Sequence, residues 1–133
     1  MNTDEKYELL KYQITRLQLM LSYVIDEDKS MFHMFIIDNN IPQRKVGIIL
    51  RSLIILKERL FENQVSNETK KLNDGVEELN SLDIDGKPTY KEYENFIQTY
   101  IDKKITVKYL LLSLKRQGID IELCDYLLED MKK

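Results

Sequence analysis

The chain has 133 residues, of which 43% are apolar and 32% charged, enough for one domain to bury about two thirds of its unfolded surface without disulfides or metal. Its net charge of −3 lacks the basic excess of a protein that binds nucleic acid through bulk charge. One cysteine excludes a disulfide framework, and no apolar run reaches membrane-spanning length.

The first predicted helix carries Tyr7, Leu10, Ile14, Leu17, Leu21 and Val24 at alternating intervals of three and four residues. This a/d seam must be covered by another helix, from the same chain or from a second copy. Thr3 is placed to cap that helix, Asp4 and Glu5 suit its positive first turn, and the period runs to about Ile25. Asp26-Glu-Asp-Lys-Ser30 breaks it. Ser30 can cap a short helix over Met31 to Ile37, which stops at Asn39-Asn40, residues that tolerate the left-handed conformation of a helix end. Pro42 suits the start of a third helix.

The run VGIILRSLIIL from Val46 to Leu56 is apolar on nearly every face and continues in helical phase through Lys57, Glu58 and Arg59. It reads as a central helix with partners on more than one side, for which the N-terminal seam is one candidate. From about 64 to 87 the chain turns polar, with Leu72, Val76 and Leu79 as a thin stripe, and is expected to be a marginal helix or a mobile arm. Thr89 and Glu92 form a capping-box pattern ahead of a helix faced by Tyr93, Phe96, Ile97, Tyr100 and Ile101. Thr106 can cap a helix ended by Gly118, and Asp120 can cap a last one carrying Leu123, Tyr126, Leu127 and Met131. The expectation is a single all-α domain over residues 1–133, a multihelical array of about six helices with a long heptad-patterned helix first.

The stretches LLKYQITRLQLML, MFHMFIIDNNI and FIQTYIDKKITVKYLLLSLKRQGI resemble the YhaI-like family of small bacterial proteins, a domain family without an assigned function. The likeness covers most of the chain and rests on helix order and hydrophobic texture rather than on an invariant motif. It implies a multihelical array that self-associates, and it carries over no catalytic residues. The segment from about 64 to 87 departs from that pattern by being longer and more polar. The absence of alanine and tryptophan, with abundant Ile, Lys, Asn and Tyr, suggests an AT-rich coding sequence, as in a low-GC bacterium or its mobile elements.

Three sharper chemistries can be weighed. Residues 35–49 have the spacing of a helix-turn-helix, with Asn40 in the turn and Gln43, Arg44 and Lys45 as the exposed start of a recognition helix. Ile36 is bulky where that motif wants a small residue, the third helix is very apolar, and the overall charge is negative. Asp83, Asp85 and Glu94 take the first, third and twelfth positions of a calcium loop. Lys87 replaces an oxygen ligand there, and Pro88 stands where glycine permits the turn. An enzyme needs a nucleophile, base or metal. The single histidine, His33, lies in an apolar run as a partly buried core or interface residue. Glu77 and Glu78 are adjacent and point apart, and Cys124 reads as a small buried hydrophobe.

The sequence thus predicts a non-enzymatic, cytoplasmic helical protein without signal peptide, cofactor or metal. It self-associates through Tyr7, Leu10, Ile14, Leu17, Leu21 and Val24 and works by binding another protein, for instance as a regulator that binds a host protein. Helix-turn-helix DNA binding through Gln43, Arg44 and Lys45 is the alternative.

Overall fold

A computed structural model describes all 133 residues except the side chain of Glu27. Among the described residues 72% are helical and none lies in a strand. The elements are α1 (Thr3–Leu21), α2 (Glu27–Asp38), α3 (Gln43–Glu62), α4 (Asn67–Leu72), a 3-10 helix (Glu77–Leu82), α5 (Tyr90–Tyr100), α6 (Val107–Gln117) and α7 (Ile121–Met131).

The long apolar run does form the central helix. Ile48, Ile49, Leu53, Ile55 and Leu56 of α3 are buried, and they meet Tyr93, Phe96 and Ile97 of α5, Leu110, Leu111 and Leu114 of α6, and Leu123 and Leu127 of α7 in one core. The opposite side of α3 stays open, with Leu50, Ile54 and Phe61 exposed. α2 lies along α6. It is pinned there by buried Phe32, whose backbone N–H donates to Gln117 Oε1 at 2.7 Å, and by the Arg116–Asp28 ion pair.

The helix ends show where local chemistry decided and where it did not. Asn40 takes φ 53° after α2, Asn63 takes φ 61° after α3, and Gly118 takes φ 84° after α6, each in the left-handed region. Thr89 caps α5 by accepting from the Glu92 N–H. The capping box is only half made, because the Glu92 carboxylate bonds Arg59 instead. The second anchor of that end is Asp130 of α7, which accepts from the Tyr90 N–H at 2.8 Å.

Four other cap assignments are corrected. Asn2 rather than Thr3 caps α1, accepting from the Glu5 N–H at 2.8 Å. Asp26 rather than Ser30 caps α2, so that helix starts earlier than the sequence pattern suggests. Thr106 and Asp120 make no side-chain cap bond; Asp120 pairs with Lys57 at 3.5 Å. The first helix also stops at Leu21, four residues short of Ile25.

The polar stretch 64–87 is held down, contrary to a mobile arm. Asn63 O accepts from the Gly86 N–H at 2.7 Å, which closes the segment at its base. Val65, Leu79 and Leu82 are buried beneath it, whereas Leu72 is exposed. Two consecutive residues on the last turn of α3 secure the rest. Glu58 accepts from Thr69 Oγ1 and from the Ser66 N–H. Arg59, 2% exposed, donates to the carbonyls of Leu82, Gly86 and Lys87 and to Glu92. A thin apolar stripe understates such a segment, because buried polar groups of the neighbouring helix do much of the holding.

Candidate interaction surface

α1 buries none of its side chains. Tyr7 is 64% exposed, Leu10 56%, Ile14 47%, Leu17 55% and Leu21 47%. Val24, 79% exposed, lies beyond the helix end, so the sixth member of the seam is carried by the turn. Of the two partners the sequence allows for this seam, the central helix of the same chain does not bury it. The 3-10 helix and α7 pack on α3, and its buried residues join those of α5 and α6 in one core to which α1 contributes none. A uniform heptad pattern states that a face is apolar, not what covers it.

The seam looks into an open groove. Tyr7, Leu10 and Ile14 stand across from Ile36, Ile37 and Ile41 around a hollow of about 520 Å³. Leu21 and Ile25 stand across from Met31 and Met34 around a second of about 500 Å³. The two meet at Gln18, Ile37 and Asp38, so α1 and α2 run antiparallel with one groove between them. Leu17, also exposed, lines neither hollow. His33 is exposed on α2 and lines the groove, so it is not a core residue. The α2 side of this surface was hidden in MFHMFII, where Phe32 points to the core and Met34 and Ile37 do not.

A contiguous exposed apolar surface is a candidate interaction site. It also bears on α1 itself. An isolated helix of this length is marginal in water, and most helical stability in proteins comes from burying an apolar face.

Gln43, Arg44 and Lys45 do fall at the start of α3, after a turn containing Asn40. Two of the three bond other parts of the chain. The Arg44 guanidinium forms a two-bond pair with Glu78, which holds that carboxyl below its usual range. Lys45 Nζ donates to the Ile101 carbonyl at 2.7 Å, at the end of α5. Gln43 and Arg44 are both exposed, Gln43 without charge and Arg44 with its charge paired to Glu78.

Among the described residues, no group of three or more His, Cys, Asp or Glu side chains is placed to hold a metal ion. Asp83 of the calcium-like loop faces Lys70 at 3.7 Å, and Glu94 bonds Lys91 at 3.0 Å. A polar hollow of about 430 Å³ is lined by Lys70, Asp74, Glu77 and Asp83, with neither histidine nor thiol in its wall. Cys124 is fully buried, and burial, then the nearby Asp120 and Asp125 carboxylates, push its thiol up to about 12, far from a thiolate at neutral pH. Among the described residues, no helix is long and apolar enough to cross a membrane.

Compared with models of known protein families, with curated proteins and with solved structures, the chain matches none.

Proposed function

We propose that this is a non-enzymatic protein-interaction module that self-associates through α1 and acts by binding another protein. The observation that carries this reading is a heptad-patterned helix with no buried residue, its seam exposed along an apolar groove beside α2. A host protein bound by a regulator from a mobile element is the concrete form that the small size and AT-rich composition favour.

A groove-binding recognition helix is disfavoured by the internal bonds of Arg44 and Lys45 and by the net charge of −3. Sedimentation equilibrium of the intact chain over a concentration series tests the first half of the proposal: a mass above one chain supports it, and a monomer throughout refutes it. Affinity capture from nuclease-treated host lysate tests the second. Proteins retained by the native chain and lost from the Leu17→Glu variant support it, whereas identical captures refute a role for α1.

A further inference from the structure

Resting on the self-association reading, we propose a specific occupant for the groove between α1 and α2: the α1 helix of a second copy of this chain, seated antiparallel to the first. Tyr7, Leu10, Ile14 and Leu21 already face that groove, so a helix packed on the seam meets α2 as well. The assembly is then two α1–α2 hairpins related by a two-fold axis, with an isologous interface that closes on itself.

Charge decides the orientation. In a parallel pair the heptad places Lys6 beside the partner's Lys11, and symmetry repeats that like-charge contact on the other side. In an antiparallel pair, Ile14 packs against the partner's Leu17, Leu10 against the partner's Leu21, and Tyr7 against the partner's Val24. That register sets Lys11 beside the partner's Gln18 and Gln13 beside the partner's Met20, with no like charges opposed. It also lays each positive helix N-terminus beside the partner's negative C-terminus. It brings the turn-borne Val24 into use at the end of the seam, which explains an apolar residue left 79% exposed past the helix.

A standard interface buries about 800 Å² per partner. Tyr7, Leu10, Ile14, Leu17, Leu21 and Val24, with Ile25, Met34 and Ile37 beside them, are 37% to 79% exposed, so reaching that size takes nearly all of the area these nine leave open.

Disulfide trapping in the full chain tests orientation and register together. Leu10→Cys and Leu21→Cys are made singly, at exposed positions that leave the core intact, and Cys124 is too buried to interfere. A disulfide needs Cα atoms about 4.4–6.8 Å apart, and residues 10 and 21 lie about 16 Å apart along a helix. The expected result is a cross-linked dimer from an equal mixture of the two variants, with about a tenth as much from either alone. Equal cross-linking by each variant alone means a parallel pair and overturns this proposal, while self-association through α1 stands. A dimer in sedimentation that forms no cross-link associates elsewhere and overturns it too. A monomer in sedimentation removes the self-association reading itself, and the groove proposal with it.

Discussion

The Arg59 guanidinium, only 2% exposed, bonds the Glu92 carboxylate at 2.8 Å while also donating to three backbone carbonyls between Leu82 and Lys87. One side chain therefore joins α3, α5 and the polar segment. Arg59→Met strands those carbonyls, and we expect a loss of about 3 kcal/mol in urea unfolding, with residues 63–87 becoming the first site of limited proteolysis. An unchanged cleavage pattern, or a loss well under 1 kcal/mol, contradicts the role given to Arg59.

Ser52 Oγ donates to the Ile49 carbonyl at 2.6 Å, so the fully buried Tyr93 hydroxyl, 2.8 Å away, donates to Ser52. Ser52→Ala orphans a buried phenol donor, whereas Tyr93→Phe leaves Ser52 its own bond. Ser52→Ala should cost about 2 kcal/mol and Tyr93→Phe about 1 kcal/mol in chemical denaturation. The reverse order contradicts this donor assignment.

Glu58 gives the fold an acid-sensitive element. Burial pushes its carboxyl up, but hydrogen bonds from Ser66 and Thr69 outweigh that and hold it below its ordinary 4.5. Because the folded value is the lower one, the stabilisation is full above the unfolded value and fades as pH falls through the folded one. Unfolding midpoints measured from about pH 7 down to about pH 3 should fall less steeply below about pH 4.5 in Glu58→Gln than in the native chain. Parallel curves contradict it.

Gly118 ends α6 at φ 84° with open space where a Cβ would sit. The cost of Gly118→Ala is then conformational rather than steric, about 1 kcal/mol. A neutral result in thermal or urea melts contradicts that analysis.

The fold class was legible because period and punctuation agreed: α3 is too long and too regular for a strand, and Asn40, Asn63 and Gly118 occupy left-handed ends. The N-terminal helix was legible as an element and its seam as an apolar face, but the face across from it was not. Met34 and Ile37 share a run with buried Phe32, and only the docking of α2 on α6 decides which of them turns outward. The polar segment was legible as marginal helix, realised as α4 and the 3-10 helix, but not what holds it down, which is Glu58 and Arg59, residues that in sequence look like a solvated helix end. Arg44 and Lys45 read as free cations for the same reason, since partners 34 and 56 residues away leave no local trace.

The central claim, association through α1, is tested most directly by sedimentation velocity on the native chain and on Leu17→Glu. Leu17 is 55% exposed, so a carboxylate there leaves the core of a single chain intact but lies unpaired and buried in the pair, at a cost of several kcal/mol. We predict a mass of two chains for the native protein and one for the variant. The freed variant should also lose helical signal, up to the 19 residues of α1, while its unfolding in urea persists. The same multi-chain mass in both proteins, or a monomer in both, would contradict the account.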